Sequence, residues 1–253
     1  LDVTSNDYLG LAGRAHSVSR ETPGGAGASR LVQGTGAAHE TLERALADWV
    51  RLPPAHLFSS GFAANAGTLA ALAGADGIVL SDELNHASII DGCRLARAQV
   101  QVLPHRSLPA LDAALAQARG AAARWVVTES YFSMDGDGPE LAAVRALCDR
   151  HRAFLVVDEA HALGVFGPEG AGRCAEANVV PDVLVGTLGK SVGLQGAFVA
   201  GSDTLRAYLW NRARSFVFST ATSPALAEST VERVEEVRAA EPVRARLLRL
   251  CAA

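Results

Sequence analysis

Two runs of the chain, RWVVTE (124–129) and FLVVDE (154–159), are apolar without alternation. A strand with one wet face alternates polar and apolar residues. A strand buried on both faces does not, and sheets covered on both faces are built mainly from parallel strands. Shorter apolar runs at 57–59, 78–81, 100–103, 183–187 and 198–200 read as further strands. Between most of them lie stretches of helical period, such as 63–73, 108–118 and 141–150. An amphipathic helix over 39–50 precedes them, with Leu42, Leu46 and Val50 on one face. Strands alternating with helices predict an α/β fold with a doubly wound, mainly parallel sheet. Ligands of such sheets sit at the carboxyl ends of the strands.

Bulk properties exclude several classes. The 253 residues are 49% hydrophobic and 20% charged, with a net charge of −4 and no block of like charge. That is enough chain for a sizeable core, and it gives no electrostatic footprint for nucleic acid. The longest apolar stretches are strand-sized, well short of the roughly 20 residues a membrane-spanning helix needs. The start, LDVTSNDYLGL, lacks the basic and apolar regions of a signal peptide. Cys93, Cys148, Cys174 and Cys251 form no CxxC pair, so neither a metal site nor a disulfide framework is expected. A reducing cytoplasm is the expected setting. From Ser223 onward the sequence is helical and charged, interrupted by Pro242, and its charges read as a solvated face. The sequence stops in an apolar helical pattern, which we read as a cut: a large domain over 1–240 and the start of a truncated C-terminal domain over 241–253.

The polar residues that follow the strands carry the chemistry. LVVDEAH (155–161) ends an apolar strand in two carboxylates and a histidine. A nucleotide hydrolase with this acidic strand needs an upstream phosphate loop, GxxxxGK[ST]. The GKS here (189–191) lies downstream, and Leu184 stands where the first glycine belongs. That reading fails. Lys190, just past the next strand, is the sole lysine of the chain. Arginine keeps its proton and cannot act as an amine nucleophile or base, whereas a partly desolvated lysine can do both. A lysine at one strand end, a carboxylate at the next and a histidine three residues beyond it form the set that holds pyridoxal phosphate. The lysine bonds the aldehyde and the carboxylate keeps the ring nitrogen protonated.

At these residues the sequence resembles the α-oxoamine synthases, a family of fold-type I pyridoxal-phosphate transferases. The matching stretches run in family order: SNDYLGL (5–11), GASRLVQGT (27–35), FSSGFAAN (58–65), NHASIIDG (85–92), TESYFSMDGD (128–137), VVDEAHALGVFG (156–167), GTLGKSVGLQGAFV (186–199) and FSTATSP (218–224). The segment GRAHSVSRETPG (13–24) is shorter than its family counterpart. The resemblance implies Lys190 as the Schiff-base lysine, Asp158 as partner of the pyridine nitrogen, and His161 and Ser133 on the phenolic oxygen. It implies His86 stacked on the ring, Gly61, Phe62 and Thr187 on the phosphate, and Thr220 on a neighbouring subunit's phosphate. Asn6 would help hold the amino-acid carboxylate, and Glu129 would support the site from behind. The implied enzyme is a cytoplasmic homodimer. SVGLQGAFV after the lysine points to the branch that joins L-alanine to a pimeloyl thioester, on CoA or acyl carrier protein, in biotin biosynthesis. Glycine C-acetyltransferase, 5-aminolevulinate synthase and serine palmitoyltransferase share the cofactor residues and remain alternatives, as does a non-catalytic remnant that binds cofactor or partner. No metal is implied.

Overall fold

A computed structural model of the chain describes residues 4–16, 18–52 and 55–252. In chain order the elements are α1 (Ala37–Val50), β1 (Ala55–Phe58), α2 (Gly61–Leu72), β2 (Ile78–Asp82), α3 (Ala87–Ala96), β3 (Gln99–Leu103), α4 (Leu108–Gln117) and β4 (Arg124–Glu129). They continue with α5 (Leu141–His151), β5 (Phe154–Asp158), α6 (Arg173–Glu176), β6 (Val183–Thr187) and β7 (Ala197–Gly201). Four helices close the chain: α7 (Asp203–Arg212), α8 (Arg214–Val217), α9 (Pro224–Ala239) and α10 (Glu241–Cys251).

The strands form one sheet in the order β1-β7-β6-β5-β4-β2-β3. β3, β2, β4, β5 and β6 pair in parallel, and β7 runs antiparallel to both β6 and β1. The doubly wound, mainly parallel sheet expected from the sequence is therefore present. The unbroken apolar runs have the predicted cause. Val127 and Val156 pack on one face with Leu69, Ile89 and Cys93 of α2 and α3. Val126, Leu155 and Val157 pack on the other with Leu111, Leu115, Val144 and Leu147 of α4 and α5. A third cluster seats Leu42, Leu46 and Trp49 of α1 and Val234 and Val237 of α9 against Leu57, Leu184 and Phe198.

This topology positions the site. Glu129 is the register partner of Asp158, and Asp158 that of Val185, so β4, β5 and β6 end at a common edge. β1 and β2 are consecutive in sequence but lie far apart in the sheet, so the chain from β1 to β2 must cross it. The connecting helix α2 packs over the central strands, and its first turn comes to lie above their carboxyl ends.

Most charges of the tail are exposed or half-buried, as expected of a solvated face, but two arginines depart from it. Arg233 and Arg244 are 3% and 2% exposed. Arg233 donates to the carbonyls of Leu11 and Arg14, tying α9 to the N-terminal segment. Arg244 donates to the carbonyls of Val237 and Arg238 at the end of α9. A helix's last carbonyls have no partner within the helix, and a guanidinium that satisfies them can be buried with its charge.

Candidate active site

Asp158 is the last residue of β5 and is 5% exposed. Each of its carboxylate oxygens accepts a hydrogen bond: Oδ2 from Asn65 Nδ2 at 2.7 Å, and Oδ1 from the amide of Ala160 at 2.9 Å. Asn65 sits one turn into α2 and also donates to Ser88 Oγ at 3.0 Å. Ser88 Oγ in turn lies 2.8 Å from His86 Nδ1. His86 caps α3 and lies exposed at the mouth of the site. One line of polar contacts therefore runs from α3 through α2 to the end of β5.

Lys190 lies in the loop after β6, and its Nζ is 2.6 Å from His161 Nε2. On the other side of the imidazole, the Tyr8 hydroxyl is 2.6 Å from His161 Nδ1. Burial lowers the Lys190 pKa from its ordinary value, against the opposing pull of the Asp158 and Glu129 charges. Burial, reinforced by the charges of Lys190 and His86, takes His161 down to about 4. The imidazole is neutral at neutral pH, and the amine is closer to neutral than a free lysine.

Glu129 ends β4 and accepts a 2.7 Å hydrogen bond from the His86 amide. Burial raises its pKa to about 7, helped by the Asp158 charge and opposed by the His86 amide and Lys190. Glu159, the residue after Asp158, points elsewhere. Glu159 is fully buried and accepts from Ser130 Oγ at 2.7 Å and from the amides of Arg173 and Cys174 at 3.0 and 2.6 Å. Gly172 stands against it with φ +97, and a Cβ there would come within 2.6 Å of Glu159 Oε2. Of the two carboxylates in the DEAH stretch, Asp158 faces the lysine and Glu159 braces a loop.

An anion-binding corner completes the site. Ser60 caps α2 and takes the Ala63 amide. The first amides of α2, those of Gly61 and Phe62, have no partner among the described residues. A helix N-terminus with free N–H groups favours an anion. Thr187, at the end of β6, faces the same turn: a Cβ on Gly61 would lie 3.7 Å from the Thr187 hydroxyl. A buried carboxylate, a desolvated amine, a neutral imidazole and an anion corner are the donor set for a phosphorylated pyridine aldehyde.

The structure brings Lys190, Asp158, His161, Glu129 and His86 together, with Gly61, Phe62 and Thr187 at one end. Asn6 is exposed and reaches the centre through Tyr8, whose hydroxyl is 3.3 Å from Asn6 Oδ1. Ser133 lies in the exposed loop after β4 and makes no hydrogen bond to the central residues. Thr220 is exposed in a bridge to Ser29 and makes no hydrogen bond to the central residues. Tyr8, Asn65 and Ser88 are central residues that sequence reasoning did not single out. All three lie inside the matching stretches, but their partners are set by the tertiary fold.

Residues 1–250 match the sequence profile of the aminotransferase class I and II family. The chain is 45% identical to an 8-amino-7-oxononanoate synthase of Marinobacter nauticus, over 98% of this chain and 64% of that protein. A serine palmitoyltransferase structure from Sphingomonas wittichii superposes with a TM-score of 0.91 at 32% identity, covering 97% of this chain and 63% of that one. The structure of 8-amino-7-oxononanoate synthase from Francisella tularensis gives 0.81 at 27% identity, covering 97% and 71%. The chain thus spans just under two thirds of the length of curated relatives such as the Marinobacter protein. With fold, strand-end residues and sequence profile in agreement, the chain belongs to the aminotransferase class I and II family.

Proposed function

We propose that this chain carries the catalytic centre of an α-oxoamine synthase that condenses L-alanine with a pimeloyl thioester. The products are 8-amino-7-oxononanoate, carbon dioxide and the free thiol of CoA or acyl carrier protein, a step toward biotin. The observation that carries the reading is Lys190: the sole lysine, desolvated, at a strand end beside the buried Asp158.

Pyridoxal 5′-phosphate, when bound, supplies an aldehyde for an amine and a ring that accepts the electron pair left when the α-carbon of an amino acid loses a proton. Lys190 would provide the amine that holds the aldehyde, and as a free amine it would take the α-proton of alanine. Lowering its pKa toward neutrality suits it to both tasks. Asp158, fixed by Asn65 and the Ala160 amide, keeps a proton on the ring nitrogen. His161 donates to the phenolic oxygen, with Ser133 as a second donor. His86, at the mouth, covers the ring face. Gly61, Phe62 and Thr187 hold the phosphate. Asn6 holds the alanine carboxylate. Thr220, exposed in its own subunit, reaches the phosphate of a second copy in a homodimer. A cytoplasmic location accords with substrates of this kind.

Similarity to serine palmitoyltransferase favours a second reading, in which another amino acid and acyl thioester are joined at the same centre. A substrate panel separates them. The protein is incubated with pyridoxal phosphate, pimeloyl-CoA and alanine, glycine or serine, and the products are identified by mass. The proposal expects 8-amino-7-oxononanoate from alanine as the dominant product. A preference for glycine or serine supports the second reading, and no product with any pair leaves a binding protein.

A further inference from the structure

Tyr8, His161 and Lys190 come from three separate parts of the chain and form one hydrogen-bonded line. The Tyr8 hydroxyl is 2.6 Å from His161 Nδ1, and His161 Nε2 is 2.6 Å from Lys190 Nζ. At the outer end the Tyr8 hydroxyl is 3.3 Å from Oδ1 of the exposed Asn6.

A neutral imidazole has one N–H and one lone pair, so the line has two self-consistent polarities. In the first, Tyr8 donates to Nδ1, which places the imidazole proton on Nε2, directed at the lone pair of a neutral Lys190 amine. In the second, a Lys190 ammonium donates to Nε2, Nδ1–H donates to the Tyr8 oxygen, and the Tyr8 hydrogen turns to Asn6. Three proton hops convert the second into the first. The ammonium proton passes to Nε2, the Nδ1 proton passes to the Tyr8 oxygen, and the original hydroxyl proton leaves to water beside Asn6. The net change is one proton moved from Lys190 to solvent, with no other bond broken.

We propose that Tyr8 is a positioning residue that sets the tautomer of His161 and gives the Lys190 proton its way out. The nearer partner of the Tyr8 hydroxyl is His161 Nδ1 at 2.6 Å, against 3.3 Å to Asn6 Oδ1, and we assign the hydroxyl proton to that nearer contact. Burial, with the nearby Tyr131, keeps the Tyr8 phenol above its ordinary pKa, and His161 is neutral, so both inner members are uncharged at neutral pH. The charged and titratable groups facing the line are Asp158 and Glu129 beside Lys190, His86 beside His161, and Tyr131 beside Tyr8. An imidazole held with its proton on Nε2 is also the form able to donate to a phenolate oxygen. In this respect the proposal rests on Lys190 and His161 as cofactor residues.

The test reads the ring nitrogens of His161 by NMR in protein labelled with nitrogen-15 at histidine, with and without pyridoxal phosphate. The His161→Gln spectrum identifies the signals. In the wild type at neutral pH, Nε2 is expected to carry the proton and Nδ1 to show the shift of a hydrogen-bond acceptor. Tyr8→Phe removes the donor, and the tautomer ratio is expected to fall about fivefold, the worth of one ordinary hydrogen bond. A wild-type Nδ1–H tautomer overturns the proposal, and so does a Tyr8→Phe spectrum indistinguishable from the wild type. The wild-type arm stands even where the variant does not fold. None of these signals depends on turnover, so an inactive protein with the Nε2–H tautomer would contradict the functional reading alone.

Discussion

Glu129 and Asp158 are register partners at the ends of two adjacent parallel strands, a pair of carboxylates side by side and both nearly excluded from water. Two like charges so placed cannot both be comfortable, and the less well solvated one takes up a proton. Asp158 accepts hydrogen bonds from Asn65 and the Ala160 amide, and Glu129 has the His86 amide. Glu129 is the one whose pKa rises, to about 7.

This arrangement has a measurable cost in stability. A carboxyl whose folded pKa is raised binds a proton more readily folded than unfolded. Its penalty is absent below the ordinary carboxyl range and develops as pH rises from about 4.5 to about 7. Glu129→Gln keeps an acceptor for the His86 amide but removes the charge. We expect the cofactor-free variant to match the wild type near pH 4.5 and to be the more stable above pH 7. The difference is at most on the order of 3 kcal/mol, read from urea midpoints across pH. A difference that does not change with pH would remove Glu129 from this role.

Asp158→Asn separates binding from chemistry. The variant keeps the side-chain shape and an oxygen for Asn65, but loses the charge that keeps a ring nitrogen protonated. We expect pyridoxal phosphate still to bind, while exchange of the α-deuterium of alanine falls by roughly two or more orders of magnitude, the scale of a lost charge in a dry site. Wild-type exchange in this variant would contradict the assignment.

Glu159 should behave differently from its neighbour. Glu159→Ala leaves the amides of Arg173 and Cys174 and the Ser130 hydroxyl without their acceptor in a fully buried place. We expect a loss of roughly 3–5 kcal/mol in unfolding free energy. Asp158→Asn should cost much less, so thermal melts of the two variants distinguish the brace from the working carboxylate.

The loop that carries Ser133 is held by His105. Its Nδ1 lies 2.9 Å from Asp82 Oδ1 and its Nε2 3.1 Å from Asp137 Oδ1, and its ring meets Phe132 edge-on at 4.6 Å. Burial lowers the His105 pKa, but the hydrogen bonds to the two aspartates outweigh it and the net shift is upward. The grip is complete below the ordinary histidine pKa and is lost as pH rises through the raised one. Hydrogen exchange at the Gly136 amide, which closes this loop onto the Phe132 carbonyl, should become faster than its intrinsic pH dependence over that range. In His105→Ala it should already be fast at mildly acidic pH. Exchange that follows the intrinsic rate alone in the wild type would show that His105 does not hold the loop.

Much of this was legible in the amino-acid order, for reasons that differ by residue. The apolar runs ending at Glu129 and Asp158 had to be strands buried on both faces, and a lone lysine in a Gly-rich loop stands out against a background of arginine. Asn65 and Tyr8 were not legible, although both lie in stretches that match the family. Asn65 reaches Asp158 because α2 crosses from the β1 edge over the middle of the sheet, and no local pattern encodes that crossing. Tyr8 meets His161 across 153 positions of sequence. The buried arginines of the tail misled for a related reason: charge predicts exposure unless the fold offers carbonyls to satisfy it, those of Leu11 and Arg14 for Arg233 and the end of α9 for Arg244. The separation of Asp158 from Glu159 likewise needed the loop at Gly172, which occupies one carboxylate and leaves the other facing the lysine.

The central claim is that Lys190 holds the cofactor, and its being the sole lysine makes the test direct. The protein is incubated with pyridoxal phosphate, reduced with borohydride, digested, and the modified peptides are identified by mass. We expect a visible absorbance band that borohydride bleaches, with a pyridoxyl group fixed on the peptide containing Lys190 and absent from Lys190→Ala. A band and a label that persist at wild-type yield in Lys190→Ala, or a label found only elsewhere in the wild type, would contradict the account.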